Sequence, residues 1–421
     1  MNETIQLLPG VRFHSCRDTR FKQGALSIQF VRPMAKEEAA LNALLPAVLL
    51  RGTEEYPDLR AITLHLDDLY GASVGALVRR VGDYQTTGLS CNFMEDRFAL
   101  DGDEILKPMM EFVGQLLFKP LLEDGHFPES FVESEKKNLI STIESEKNDK
   151  RVYAAGKLLK NMCRGDSFGL PRLGDVEDVE SITAQSLYDH YLKIQKESPI
   201  ELFYVGSAQP EKVAQLLKTE LEKIVREPQL RNQQTAFCGG EGSHETQIMD
   251  VAQAKLCMGF VTPVTNTSPD FAAMQVLNTV FGGGMTSKLF MNVREKLSLC
   301  YYVSSGYYGT KGIVTVAAGI DADKEEVTKA EILAQLDACR RGEITEQELD
   351  SAKEAILSAL RTVSDSPGAI EGYHAVAALS GITMTLEEYM DAVQAVSQEE
   401  VAAAARKLQY HSSFFLKGAG K

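Results

Sequence analysis

The stretch FGGGMTSKLFMNVREKLSLCYYVSS, Phe281 to Ser305, gathers residue types able to do chemistry: three consecutive glycines, a lysine behind a serine, Arg294 and Tyr301. A glycine-rich turn before a lysine raises phosphate binding first. The spacing excludes it, because a Walker loop places glycine directly before its lysine and here Ser287 stands there. On the residues alone, the glycines cap a helix and make a tight turn, Arg294 answers the dipole at a helix end, and Tyr301 is a strand aromatic. Metal chemistry needs converging imidazoles or thiolates. The seven histidines, His14, His65, His126, His190, His244, His374 and His411, include no pair at i, i+4, so no helix presents two on one face. His65-x-x-Asp68 and His126-x-x-Glu129 stand in polar settings that a solvent-facing helix or loop explains. Cys16, Cys91, Cys163, Cys238, Cys257, Cys300 and Cys339 are odd in number, widely spaced and without a C-x-x-C pair, which speaks against a disulfide framework or a zinc ribbon. No G-x-S-x-G elbow selects a serine nucleophile.

The elements that must position these residues follow from periodicity. A strand over Leu26 to Arg32 precedes a helix from Lys36 to Leu50, whose Leu41, Leu44, Leu45, Val48 and Leu49 form a core-facing stripe. A helix over Asp58 to Tyr70 leads to a hairpin, Ala72 to Val81 and Tyr84 to Phe93, turning at Gly82-Asp83. Helices near 103–118, 128–147, 151–163 and 183–195 follow, and IELFYVG closes the half at Gly206. The second half opens with a strand, Lys255 to Val261, and a helix with Ser268 as N-cap, Pro269 at its first position and Gly282 just past its end. A short helix over Lys288 to Lys296 leads to a hairpin, Tyr301 to Tyr308 and Ile313 to Ile320. Helices near 323–341, 345–363, 366–378 and 386–406 come next, the second with the capping box Thr345-x-x-Glu348, and SSFFLKG ends the half at Gly418. Both halves run strand, helix, helix, hairpin, four helices, strand, and an order used twice implies duplication. The expected class is α+β: two similar repeats, 1–225 and 246–421, each a mostly antiparallel sheet with helices on one face, joined by a polar linker over 226–245.

At 421 residues and 44% hydrophobic content the chain can bury a large core. A formal charge of -15, with no Lys/Arg cluster, argues against a nucleic-acid surface. No stretch reaches the roughly 18 apolar residues a membrane span needs, and no secretory signal pattern opens the chain. A cytoplasmic home is the expectation.

With the elements in place, Phe281 to Ser305 resembles the C-terminal signature of the insulinase and pitrilysin family of zinc peptidases, in the branch that includes mitochondrial processing peptidase. The shared run is a glycine-rich turn, serine, Lys-Leu-Phe, Arg-Glu-Lys, Leu, a small residue and Tyr. The resemblance implies that Arg294 and Tyr301 hold a bound peptide's backbone and help polarise the scissile carbonyl. Tyr302 is the alternative one residue on, and Ser298 stands where the family usually has glycine. A second match, LNALLPAVLLRGTEEYPDL, carries Leu50-Arg51-Gly52-Thr53 where the family has a Phe-Lys-Gly-Thr-like run. Just upstream the family places H-x-x-E-H, two zinc-binding histidines on one helix face with a glutamate that activates water. Here those positions are Ala43, Pro46 and Ala47, and none can bind metal or move a proton. The family's third ligand, a glutamate on a later helix, falls near Thr142, with Glu144 close by.

The resemblance covers almost the whole chain. It implies a non-catalytic, substrate-binding subunit of a heterodimeric peptidase, with no metal or cofactor of its own, whose zinc-bearing sister subunit completes the site on a peptide or protein substrate. A homodimer stays open. The chain is also similar to zinc-less bacterial homologues that accompany a zinc-bearing sister, including those associated with elongation factor P 5-aminopentanol modification. Two other roles stand beside this one: a structural or assembly subunit like the core subunits of respiratory complexes, and a peptidase with an unrecognised metal site.

Overall fold

The structure, a computed structural model, describes residues 3–229 and 231–419. The first half opens with β1 (Glu3–Leu8), β2 (Val11–Arg17) and β3 (Gln23–Pro33), then α1 (Lys36–Leu49), α2 (Leu59–Asp68) and the hairpin β4 (Ser73–Val81) and β5 (Tyr84–Met94). Helices α3 (Leu106–Phe118), α4 (Glu129–Asn148), α5 (Lys150–Met162), α6 (Val176–Glu180) and α7 (Ala184–Glu197) follow, then β6 (Ile200–Gly206) and α8 (Pro210–Leu221). The second half holds β7 (His244–Ile248), β8 (Ala254–Val261), α9 (Phe271–Gly282), a π-helical segment (Leu289–Lys296), β9 (Cys300–Tyr308) and β10 (Ile313–Ile320). It ends with α10 (Glu325–Arg340), α11 (Glu346–Val363), α12 (Pro367–Ser380), α13 (Leu386–Ala395), α14 (Gln398–Arg406) and β11 (Gln409–Lys417).

The strands form two sheets, β1-β2-β6-β3-β5-β4 and β7-β11-β8-β10-β9. Without β1, the orders match strand for strand, and the parallel pairing of β2 with β6 recurs as β7 with β11. The fold is therefore α+β with two like repeats. Because β7 starts at His244, it takes up the last residues of the stretch read as linker.

The chain divides into two compact units that do not follow sequence order. One comprises the chain up to Ile143, Pro171–Gln233 and Val363–Leu379; the other comprises Glu144–Leu170, Gln234–Thr362 and everything from Ser380 onward. Each sheet thus receives one helix from the opposite half: α12 joins the first unit and α5 the second. In the first unit, Leu26, Ile28 and Phe30 of β3 share a core with Leu44, Leu45 and Val48 of α1. The alternate residues Ser27 and Gln29 point the other way, where Glu371 of α12 accepts hydrogen bonds from both and from two nitrogens of Arg79. In the second unit, Phe260 of β8 meets Phe281 of α9 edge-on at 6.3 Å. On the opposite face Cys257, Phe414 and Leu416 pack on Ala154 and Leu158 of α5. Gly259 lets α5 come this close, since a Cβ there would lie 2.5 Å from the Met162 sulfur. The helices predicted on one face are joined, in each unit, by a helix from the opposite half on the other face.

Several predicted boundaries move. Ser268 does not cap α9: its Oγ accepts from the Thr265 N–H, tightening an upstream turn, and Asp270 takes the cap position. Gly282 is the last helical residue, with Gly283 at the cap. The helix read over 386–406 breaks at Val396, because Ser397 starts a new capping box with Glu400. The Thr345 and Glu348 box forms as expected. His65 is not solvent-facing; it lies against Tyr56 and Phe112, with ring centroids at 4.5 and 4.7 Å. His126 does sit in a loop, against the Phe127 carbonyl.

Candidate peptide-binding site

Helix α1 carries Ala43, Pro46 and Ala47, the positions that the sequence resemblance aligns with zinc-site residues. Glu38 in its first turn accepts two hydrogen bonds from Arg32 and one from Lys193 of α7. Burial pushes the Glu38 carboxyl up, but these cations outweigh it and bring its pKa to about 2. Ala43 is buried in the core, and Pro46 lies inside the helix. Proline has no N–H to offer the Asn42 carbonyl one turn back, and the Thr87 hydroxyl donates to that carbonyl instead, at 2.7 Å. The Asn42 side chain continues the network. Its amide donates to Gln85 Oε1 and its oxygen accepts from His190 Nε2, both at 2.8 Å. Burial holds the His190 pKa down at about 4, so the imidazole is neutral.

These residues do not fit a zinc ion. Two alanines and a proline supply no donor, and the His190 imidazole is committed to Asn42. Thr142 is exposed on α4 with its hydroxyl bonded to the Asn138 carbonyl of its own helix, and Glu144 is exposed as well. Among the described residues no three His, Cys, Asp or Glu side chains come together as a metal site. The Asn42, Gln85 and His190 network was missed by the sequence reading, although an asparagine within the apolar run LNALL is a visible signal for it.

The other candidate site is built in the second unit. Lys288, buried at the start of the π-helical segment, is paired with Glu348 at 2.9 Å, and Glu348 in turn caps α11. That pair ties the segment to a long helix. A π-turn is a wide turn often found at functional sites, and here it stacks Arg294 over the Phe290 ring at 4.6 Å. Arg294 Nε donates to the Tyr301 carbonyl at 3.0 Å and its Nη1 pairs with Glu295. Tyr301 is the extra residue of a β-bulge, since the ladder passes from Tyr302 opposite Gly319 to Cys300 opposite Ile320. Its ring is 61% exposed, and its hydroxyl donates to Asp321 at 3.1 Å. The other Asp321 oxygen pairs with Lys324 at 3.0 Å.

Arg294, Glu295, Ser298, Leu299, Cys300, Tyr301, Asp321 and Lys324 line one open cleft of about 370 Å³. Tyr302 is not among them. Its ring is stacked between Arg151 and Lys255, at 4.2 and 5.5 Å, and lies over Gly319, where any Cβ would strike it. The structure therefore brings Arg294 together with Tyr301. Asp321 and Lys324 were missed, yet the hairpin register offers a signal, because the end of β10 must lie beside the start of β9.

Residues 181–356 match the family model described as Peptidase M16 inactive domain, a span that includes Arg294 and Tyr301. Over 419 residues, 99% of this chain and 98% of the relative, the chain is 30% identical to Probable inactive metalloprotease YmfF of Bacillus subtilis (strain 168). The chain belongs to the M16 peptidase family. The same bacterium has a further relative, Uncharacterized zinc protease YmxG, 27% identical over 297 residues that cover 68% of this chain and 71% of that protein. A conserved protein from Enterococcus faecalis V583 shares the fold with a TM-score of 0.90 and 28% identity, covering 100% of this chain and 99% of that one. This is the insulinase-type family of the sequence resemblance, and the inactive-domain match together with the relative named inactive groups the chain with its zinc-less members. No helix among the described residues is long and apolar enough to cross a membrane.

Proposed function

We propose that this chain is the non-catalytic, peptide-binding subunit of a cytoplasmic two-chain M16 peptidase, in which a zinc-bearing sister subunit supplies the metal. One contrast carries the reading. The zinc positions on α1 are filled by Ala43, Pro46 and Ala47, whereas a half-buried Arg294 and an exposed Tyr301 line a common cleft. A guanidinium has five donors, and Nη2 of Arg294 has no acceptor among the described residues, leaving it for a peptide carbonyl. That Bacillus subtilis holds both a relative named inactive and one named a zinc protease supports a division of labour between sister chains.

The test is reconstitution. The chain alone is expected to bind no stoichiometric zinc and to cleave nothing; mixed with its zinc-bearing sister, it should yield a particle that cleaves peptides. Arg294→Ala and Tyr301→Phe should each lower turnover of that particle by about 10²-fold, with assembly intact, if each donor acts chiefly in the transition state. Chelator-sensitive cleavage by this chain alone would refute the proposal. Unchanged turnover in both variants would favour a purely structural subunit.

A further inference from the structure

We propose that Cys238 is a peroxide-responsive modification site: once oxidised, its sulfur bonds to the Lys311 amine and fastens the linker to the β9–β10 turn by a reversible S–N bond. The inference stands apart from the peptide-binding reading. Side chains from three segments of the second unit meet at one carboxylate oxygen. Asp166 Oδ2, in the turn after α5, accepts from the Lys311 ammonium at 2.9 Å and from the Cys238 thiol at 3.1 Å. The Lys311 and Asp166 side chains are buried, whereas Cys238 alone of the seven cysteines is exposed. The cluster thus sets a sulfur that a small oxidant can reach beside an amine kept from water.

Backbone contacts fix the sulfur there. The Cys238 N–H donates to Asp166 Oδ2 at 3.2 Å, and the Phe168 N–H holds the other carboxylate oxygen at 2.8 Å. The Phe237 N–H donates to the Lys311 carbonyl at 3.1 Å, and the Lys311 ammonium donates to Thr235 Oγ1 at 3.2 Å, so the linker already lies along the turn. An ammonium beside a thiol favours the thiolate, and here it also offsets the charge of Asp166. The thiolate attacks one oxygen of hydrogen peroxide, the O–O bond breaks, and the departing hydroxide joins the thiol's proton as water. Sulfur is oxidised to a sulfenic acid and the peroxide is reduced. The Lys311 amine, its extra proton passed to Asp166, then attacks that sulfur; the S–O bond breaks, and the hydroxyl leaves as water with one N–H proton. A dithiol reverses the bond by attacking the sulfur and releasing the amine.

The test treats the full chain with a small excess of hydrogen peroxide, blocks remaining thiols, digests without reductant and maps the peptides by mass spectrometry. The expected product joins the Cys238 peptide to the Lys311 peptide, weighs two hydrogens less than their sum, and is lost on treatment with dithiothreitol. Cys238→Ser should abolish it, and so should Lys311→Arg, which keeps the charge but offers a guanidinium in place of the amine. Should Lys311→Arg not fold, the mapped peptide pair in the unaltered chain decides by itself. Oxidation of Cys238 to a sulfinic acid with Lys311 unmodified overturns the inference. So does a disulfide at Cys238, or a Cys238 thiol that stays reduced under peroxide.

Discussion

Ser298 has a φ of 50°, and its N–H donates to the Arg294 carbonyl at the turn between the π-helical segment and β9. A β-carbon in that left-handed conformation costs roughly 1–2 kcal/mol, and glycine returns part of the gain, roughly 0.5–1 kcal/mol, as backbone entropy. Ser298→Gly is therefore expected to stabilise the chain by up to about 1 kcal/mol, and Ser298→Val to destabilise it by about 1–2 kcal/mol, read from denaturant midpoints. At the same scale, the residue types of Arg294 and of Ala43, Pro46 and Ala47 were legible in the sequence. The choice between Tyr301 and Tyr302 was not. A bulge inserts one residue, side chains alternate with a period of two, and which tyrosine faces the cleft is decided where pairing with β10 slips.

Among the elements, α1 is pinned to its neighbours by polar contacts of Asn42. His190 of α7 is buried neutral against Asn42, and burial lowers its pKa from 6.5 to about 4. The unfolded chain takes a proton near pH 6.5 and the folded chain only near pH 4. Stability is thus fully present above about pH 6.5 and is lost as pH falls toward 4, by on the order of 2–3 kcal/mol. Urea unfolding at pH 7.5 and 4.5 should show this drop, and His190→Gln should lessen it without abolishing it, because burial also lowers the His374 pKa to about 4. On the far side of the same sheet, Glu371 of α12 is the shared acceptor for Arg79, Ser27 and Gln29. Glu371→Ala leaves a part-buried guanidinium and two buried polar groups without it, at about 3 kcal/mol. Faster amide exchange along α12 would localise the effect. Most helices and both hairpins were legible because their apolar spacing is local. Helix α8 was legible too, with Pro210 first and Val213, Leu217 and Leu221 at four-residue spacing, though it lies outside the predicted set. β1 lies outside that set as well, and its polar alternation has only the pairing with β2 to reveal it.

For the whole molecule, the exchange of α5 and α12 makes the two sequence repeats different objects from the two compact units. Residues 1–225 lack α12 and leave Ser27, Gln29 and Arg79 uncovered, while 246–421 lack α5 and expose Cys257, Phe414 and Leu416. Neither fragment alone is expected to give a cooperative thermal transition with a native near-ultraviolet dichroism signal; a sharp transition in either would show that the exchanged helices are dispensable.

By itself the sequence determined what depends on neighbours along the chain: the type and order of most of the elements, the duplication, and the absence of zinc donors at three helix positions. Periodicity and residue chemistry are local properties, readable without coordinates. Tertiary structure decided what depends on residues far apart in the chain: which tyrosine joins Arg294, that Asp321 and Lys324 complete the cleft, that Asn42 finds His190, and that each sheet is closed by a helix from the other half. Register, bulges and chain crossing set those contacts, and none of them leaves a mark on the spacing of side chains within a single element.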